Sequence, residues 1–474
     1  KEYDQLCSRS YCFQLQKEYR IKTLKNDLTH RTKSWVVYNN LEAITDFELT
    51  ILGVYLMGML RAVNNNNSHG KISLPPPQAN HLRSSTDLFK QSFNRFPTHH
   101  APSGVVNSAE PITSGPYLLK MEEHIRDLRV VAIAPLSRYE VSSLTLYDYE
   151  LPPGLITINE AISVIELFQR GGRLNAKSVH KILRLGYKLL KQQSNITPMT
   201  ITEKDKLTVV GDIHGQLADL LHILTASGLP STHNKYIFNG DFVDRGEWGV
   251  EVMCILLTLF IARPDCVVLN RGNHEDFAIC SVYGFQLECY EKYDALTFSL
   301  FVEVFQQIPL FATINNTVFV VHGGLFHNHD ITLDDLNRID RTIFTLEDLP
   351  ENGETLDPVS RWNPREFYKQ LTRDALWSDP VDYHGLHESV RGAGVAFGPD
   401  VTRNFLEYNH MKLVIRSHEC IRSGYDEPFT SENADATKAP LLCTIFSASD
   451  YGGSGNSAAY MEFHVKAPEV SEEE

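Results

Sequence analysis

Six short apolar runs, each broken off by a polar cluster and all but one of those clusters containing glycine, constrain the fold of this chain more than any other feature. The runs cover residues 207–210, 236–238, 266–269, 318–321, 413–415 and 442–446. Being short and rich in Val, Ile and Phe, they suit strands buried on both faces. The clusters that end them are Gly211-Asp-Ile-His-Gly215, Gly240-Asp-Phe-Val-Asp-Arg-Gly246, Arg271-Gly-Asn-His-Glu275, His322-Gly-Gly324, Arg416-Ser-His-Glu419 and Ser447-Ala-Ser-Asp-Tyr-Gly452. In layered α/β proteins ligands sit outside the carboxyl ends of strands, so these loops predict one shared site.

The clusters offer carboxylate, imidazole and amide oxygen. That donor set suits Mn²⁺, Zn²⁺ or Fe, whereas structural zinc calls for thiolates. The cysteines Cys7, Cys12, Cys254, Cys266, Cys280, Cys289, Cys420 and Cys443 form no C-x-x-C pair, which reads as reduced thiols in an intracellular compartment. Glycine beside the ligand-type residues lets the backbone turn sharply at a strand end and lets a bulky ligand approach it. Two ions about 3.5–4 Å apart, bridged by a carboxylate, can activate a water and clamp phosphoryl oxygens for in-line displacement. Phosphate monoesters hydrolyse so slowly that catalysed accelerations approach about 10²¹-fold, so arginines that grip oxyanions bidentately have to share the work. Taken singly, an Asp-x-His or a His-Gly-Gly is more often a turn or a satisfied buried histidine. The ordered series, each member after its own apolar run, makes coincidence the weaker account.

A formal net charge of -15 on 474 residues opposes a broad nucleic-acid surface, so an anionic substrate must be held locally. The longest apolar stretches, 49–60 and 250–262, fall short of the roughly 20 residues that span a bilayer. A soluble protein is expected, cytoplasmic with the nucleus as a second address. Composition divides the chain into a helical region over 1–63, a flexible linker over 64–115 poor in large apolar residues, a lead-in over 116–154, a compact region over 155–466 and an acidic tail over 467–474. Within the compact region Thr157 and Asn159 are candidate caps for a helix over 161–169. Apolar residues three and four apart predict a second helix over 176–193.

The series G-D-I-H-G, G-D-F-V-D-R-G, R-G-N-H-E, H-G-G and R-S-H-E closely resembles the phosphoprotein phosphatase (PPP) family of metal-dependent serine/threonine phosphatases. Segments 238–246, 269–276, 376–380, 391–394 and 446–449 look most like its EF-hand-bearing, retinal-degeneration-C subfamily. The resemblance implies an α/β, metallophosphoesterase-like fold: a central β-sandwich of mixed sheets flanked by helices, here with an N-terminal helical extension. It implies hydrolysis of phosphoserine and phosphothreonine by a hydroxide bridging two divalent ions, Mn²⁺ with Fe or Zn as alternatives. By motif position Asp212 and His214 would hold one ion, Asn273, His322 and His418 the other, and Asp241 would bridge. His274 matches the family's general acid, oriented by Asp244. Arg245 and Arg391, with Asn273, match the phosphate-binding set, Tyr451 matches the aromatic residue lining the cleft, and Arg271 reads as structural support. Asp450 stands where the family usually has Asn, and Gly452-Gly453 replaces bulkier residues, so the cleft-lining loop is expected to differ in shape. No segment satisfies the EF-hand pattern, and calcium loops beyond Glu474 are left open by a chain whose first residue is Lys1.

Residues 15–25 fit the calmodulin-binding IQ pattern through Leu15, Gln16, Arg20 and Lys25, with Ile21 replacing the usual Gly. The same stretch reads as an ordinary amphipathic helix. Two other functions share some of these features. A metallophosphoesterase acting on nucleotides also uses Asp-x-His and Gly-Asn-His. A calmodulin-binding scaffold with a dead phosphatase fold should have lost a ligand or His274, and this chain retains them all.

Overall fold

The computed structural model describes residues 127–134, 148–342, 358–429 and 440–465. The IQ-like stretch with Leu15, Gln16, Arg20 and Lys25, the linker over 64–115 and the tail over 467–474 lie outside them. Eleven strands of the described residues, numbered in chain order, form the two main sheets. They are β1 (Asp127–Ile133), β2 (Ile196–Met199), β3 (Lys206–Val210), β4 (Asn234–Asn239), β5 (Val267–Asn270), β6 (Phe311–Ile314), β7 (Val318–Val321), β8 (Leu413–Arg416), β9 (Tyr425–Asp426), β10 (Leu442–Ile445) and β11 (Ala458–His464). One sheet has the order β1-β11-β3-β4-β5 and the other β9-β10-β8-β7-β6-β2. In the first, β3, β4 and β5 run parallel while β11 pairs antiparallel with both β3 and β1. In the second, β7, β8 and β10 are parallel neighbours. The parallel strands of each sheet therefore bring the loops that carry the candidate ligands out at a common end.

Alternation along the strands builds three apolar layers. Leu207, Val209, Ile237 and Val268 face Val318, Val320, Leu413, Ile415 and Ile445 across the sandwich. The intervening Tyr236, Phe238, Val267 and Leu269 point instead into a helical layer, while Phe319, Val321 and Val414 point into another. Burial on both faces explains why these strands read as continuous apolar runs. Truncating one such residue, Ile237→Ala, would cost about 2–5 kcal/mol.

The layer on the first sheet contains helices α1 (Ile158–Gln169), α2 (Ala176–Leu190), α3 (Leu217–Ser227), α4 (Gly249–Ala262), α5 (Phe285–Lys292) and α6 (Ala295–Phe305). Helices α7 (Pro364–Trp377) and α8 (Pro399–Tyr408) cover the second. Thr157 rather than Asn159 caps α1: its hydroxyl accepts the Asn159 N–H, and the Glu160 carboxylate accepts the Thr157 N–H at 2.8 Å, a capping box. Helix α2 stops three residues short of the expected end. Arg341 donates to the carbonyls of Leu190 and Gln193 at 2.9 and 2.7 Å, satisfying groups a longer helix would have used itself. The apolar stretch at 250–262 is α4, buried along nearly all its length. None of the described helices is long and apolar enough to cross a membrane.

Candidate metal centre

Every metal-ligand candidate lies at or just beyond a strand's carboxyl end. Asp212 and His214 follow β3, Asp241 follows β4, Asn273 follows β5, His322 follows β7 and His418 follows β8. All are at least nine-tenths buried. His214, Asp241 and His418 have φ of 45°, 52° and 69°, a left-handed conformation uncommon for residues with a Cβ and typical of constrained sites. Gly272 is required by crowding, because a Cβ there would sit 2.2 Å from Asp241 Oδ1 and 2.3 Å from the Asp241 amide nitrogen.

The side chains converge around Asp241. His214, Asp241 and His274 offer ligand-type atoms within 4.8 Å of one another, and so do Asp241, His322 and His418. His214 Nε2 is 3.5 Å from Asp241 Oδ2 and 3.7 Å from Asp212 Oδ2. On the other side His322 Nε2 is 3.4 Å from Asp241 Oδ1 and 3.2 Å from His418 Nδ1. One carboxylate thus faces both groups, as a bridging ligand must. The imidazoles are aimed by bonds at their far nitrogens: His214 Nδ1–H donates to the Val243 carbonyl at 2.9 Å, and His322 Nδ1–H to the Asn239 carbonyl at 2.8 Å. A carbonyl only accepts, so each Nδ1 carries its proton and Nε2 is the nitrogen turned towards the cluster.

The electrostatics of the cluster call for a cation. Burial, reinforced by Asp241, pushes the Asp212 carboxyl up to about 7. Burial and the neighbouring His274 take His214 down to about 3. Burial alone would lower His322, but the charge and hydrogen bond of Asp241, with Asp212 and the Asn239 carbonyl, together outweigh it and raise the imidazole to about 9. The group presented by the Asn273 amide lies within 2.9 Å of His418 Nδ1, 3.0 Å of His322 Nε2 and 3.2 Å of both Asp241 oxygens. Asp212 Oδ2 is buried without a hydrogen-bond partner. With the Asn273 oxygen turned inward, carboxylate, amide and imidazole atoms converge on Asp241. Divalent ions bound by oxygen and imidazole nitrogen fit that donor set.

His274 is placed differently from the ligands. Its Nδ1 meets Asp244 Oδ2 at 2.6 Å, and its Nε2 is 4.0 Å from Asp241 Oδ2. Asp244, itself fully buried, uses Oδ1 to accept the Phe285 N–H at the start of α5 at 2.9 Å. Burial opposes charge on His274, but Asp241 and Asp244 outweigh it and raise the imidazole above its ordinary value. A proton on Nε2 is therefore favoured at the edge of the cluster, where a general acid belongs.

Known proteins are similar to this chain. The calcineurin-like phosphoesterase family pattern matches residues 206–422. Serine/threonine-protein phosphatase rdgC of Drosophila melanogaster is 42% identical over 324 residues, 66% of this chain and 46% of the fly protein. Serine/threonine-protein phosphatase 5 of Homo sapiens is 37% identical over 327 residues, 68% of this chain and 60% of the human protein. The chain thus spans about half to three-fifths of these curated relatives. The solved structure of a protein serine/threonine phosphatase from Saccharomyces cerevisiae, described as similar to human phosphatase PP5, is 31% identical with a TM-score of 0.54, covering 66% of this chain and 98% of that one. This chain belongs to the phosphoprotein phosphatase family. The α/β sandwich that the motifs implied is the family's metallophosphoesterase fold.

The remaining candidates of the family pattern flank the cluster. Arg245 stacks its guanidinium 4.2 Å from the Tyr283 ring centroid, and Tyr283 in turn lies 5.5 Å from the His274 ring. Arg391 is held by Asp379, with Nε 2.5 Å from Oδ2, and donates Nη2–H to the His418 carbonyl at 3.3 Å. Tyr451 packs its ring 4.9 Å from that of His214. Arg271 is buried and donates Nη1–H to the Arg341 carbonyl at 2.6 Å. Within the loop that departs from the family pattern, Asp450 has φ of 46° and Gly452 and Gly453 have φ of 59° and 79°. Its short turn is therefore built from left-handed residues.

Several supporting residues were inside recognised motifs yet had no role on sequence grounds. Glu275 accepts three backbone N–H groups, of Asp241, Phe242 and Gly272, at 2.8, 2.7 and 2.9 Å, so it fixes the Asp241 loop against the Asn273 loop. Arg416 donates to Gly323 O at 2.6 Å, to Asp379 Oδ1 at 2.8 Å and to Glu419 Oε2 at 2.5 Å. Asn239 joins the sheets by donating to Val321 O and Ser417 Oγ, each at 2.8 Å. The only sequence signal for these was a polar residue retained in an otherwise apolar or ligand-bearing segment.

Proposed function

We propose that this chain is a metal-dependent protein serine/threonine phosphatase. The observation that carries the reading is Asp241 shared between two ligand groups, beside a histidine whose other nitrogen is engaged by a buried aspartate. Asp212, His214 and Asp241 would hold one divalent ion, and Asp241, Asn273, His322 and His418 the other, with Mn²⁺ the expected occupant and Fe or Zn as alternatives. Bound there, the ions supply an activated water and neutralise charge on the phosphoryl oxygens.

The chain's own residues do the rest. Arg245 and Arg391 hold the phosphoryl oxygens, each kept in place by a neighbour, Tyr283 or Asp379. Tyr451 forms a wall of the cleft against His214. As the bond from phosphorus to the seryl or threonyl oxygen breaks, His274 Nε2–H gives its proton to that oxygen, and Asp244 holds the ring in the tautomer and orientation the transfer needs. The products are the free hydroxyl side chain and inorganic phosphate.

Assaying the purified chain with phosphoserine peptides and nucleotide diesters, each with and without Mn²⁺, tests this. Metal-dependent turnover of peptides over diesters is expected. Preference for diesters would favour the nucleotide reading, and no turnover with either would favour a scaffold.

A regulatory reading rests on the sequence around Leu15, Gln16, Arg20 and Lys25. We propose that this segment binds calmodulin as a helix in a groove, Leu15 entering an apolar pocket and Arg20 and Lys25 meeting acidic residues. Calorimetry of a peptide covering residues 8–32, with and without calcium, should show binding that Gln16→Ala with Arg20→Ala weakens. Unchanged affinity would return the stretch to an ordinary amphipathic helix.

A further inference from the structure

The loop after β10 carries Tyr451 and was singled out for its departures from the family pattern, yet nothing in the catalytic reading explains what holds it. Asp219, on α3, is 2% exposed. Both of its carboxylate oxygens are occupied by one residue: Ser449 donates its backbone N–H to Oδ2 at 2.7 Å and its hydroxyl to Oδ1 at 2.9 Å. Ser449 lies two positions before Tyr451. On the far side of the loop buried Asn456 accepts the Tyr451 N–H at 2.8 Å and donates to the Ala448 carbonyl at 2.8 Å. Asp450, between them, accepts the Gly455 N–H at 2.9 Å.

The loop is thus fastened at two points, and one of them is anchored outside it, on the helix that begins just after the Asp212 and His214 cluster. Burial pushes the Asp219 carboxyl up to about 6, a penalty an apolar side chain at this place would avoid. What the carboxylate provides instead is a bidentate acceptor for a backbone N–H and a hydroxyl on the opposing loop. Because α3 also follows directly from the loop carrying His214, the contact ties the tyrosine's loop to the histidine it packs on.

We infer that Asp219 is a positioning residue of the catalytic cleft, acting through Ser449 to hold the Tyr451 ring against His214. The inference rests on the proposed reading of Tyr451 as a cleft wall. It makes a distinct demand: the effect of Asp219 on turnover must pass through Tyr451.

A mutant cycle on the full chain loaded with Mn²⁺ tests this, with kcat and KM measured on a phosphoserine peptide well below each variant's melting temperature. Asp219→Ala should lower kcat/KM by about tenfold, the lower end of what supporting residues around metal sites control. Asp219→Asn should recover most of it, since an amide can accept the Ser449 N–H while donating to its hydroxyl. In a Tyr451→Ala background Asp219→Ala should cost less than about twofold, the signature of residues acting as a unit. Ser449→Ala replaces Asp219→Ala in the cycle if the latter does not fold. Equal losses in both backgrounds would overturn the inference and leave the catalytic reading intact. Wild-type turnover in Tyr451→Ala alone would overturn the cleft-wall assignment and the inference with it.

Discussion

The five-stranded sheet brings Asp212, Asp241 and Asn273 to the site from the ends of β3, β4 and β5, whereas the six-stranded sheet brings His322 and His418 from β7 and β8. Their supports differ in sign as well. On the first sheet carboxylates gather backbone N–H groups: Glu275 accepts from Asp241, Phe242 and Gly272, and Asp244 from Phe285. On the second, Arg416 donates to the carbonyls of Gly323 and Ser378 at 2.6 and 3.2 Å. Which backbone group faces inward decides which charge can hold a loop. The consequence is functional. On the proposed reading, acidic support beneath acidic ligands deepens the field that attracts cations, while the arginine support is linked through Asp379 to Arg391, the residue proposed to hold the substrate's phosphate.

If Asp241 joins the two halves, its loss should produce the largest effect. Asp241→Asn is expected to abolish turnover nearly completely and to lower the content of both ions, because both ligand groups include it. Activity and elemental analysis of the same preparation check this. One ion per chain in a fully active enzyme would break the picture of two groups sharing a carboxylate.

His274 belongs to the first sheet but is not counted among its metal ligands. His274→Asn should lower turnover of phosphoserine peptides by roughly 10²–10⁴-fold while leaving the metal content unchanged. The loss should shrink on p-nitrophenyl phosphate, whose leaving group needs no proton. Equal losses on both substrates would place His274 with the ligands instead.

The candidate site was legible in the sequence because each candidate ligand sits in a short contiguous motif at the end of an apolar run, and strand burial on both faces made the runs visible. The two strands that complete one side of the first sheet were not. In β11 the residues Ala458 to His464 mix alanines with Glu462 and His464, and β1 pairs with it from within the lead-in segment. β11 lacks the Val- and Ile-rich signature of the central strands, and in β1 the run Val130-Val-Ala-Ile133 follows the polar Asp127 and Arg129 with no ligand-type cluster after it. Helix α2 ended early because of Arg341, a partner about 150 residues away, and Asp219 reaches Ser449 across 230 residues. Such contacts leave no local periodicity. Thr157 prevailed over Asn159 as a cap because only Thr157 has the glutamate three positions on that completes the box.

The two kinds of support should separate in a smaller pair of effects. Glu275→Gln weakens the carboxylate that fixes the Asp241 loop and should show as reduced metal content. Asp379→Asn should leave the metals bound but lower kcat/KM on peptides by about 10–100-fold, chiefly through KM, because Arg391 loses its bidentate anchor. A fall in metal content for Asp379→Asn as large as for Glu275→Gln would erase the distinction between the sheets.

The smallest effect is expected far from the ligand loops, in the helical layer on the first sheet, and it should touch stability alone. His180 on α2 is half-buried and its Nε2 is 2.9 Å from Thr297 Oγ1 on α6. The threonine hydroxyl donates to Asp294 at 2.8 Å, so His180 serves it as an N–H donor, which the neutral ring can do. Burial lowers the His180 pKa below its ordinary 6.5, Arg184 adding to the shift and Asp294 opposing it. The unfolded chain therefore binds the proton more readily than the folded one. The stabilisation is complete above about pH 6.5 and is lost as pH falls through the lower, folded value. Melting temperatures of wild type and His180→Gln should accordingly draw together between pH 7 and 5, a comparison in which acid effects on the metal cluster cancel. Phosphatase activity per folded molecule should be the same in both proteins at pH 7. A constant difference in melting temperature across that range would show that the ring is not titrating with folding, and a loss of activity would show that the helical layer and the ligand loops are not independent.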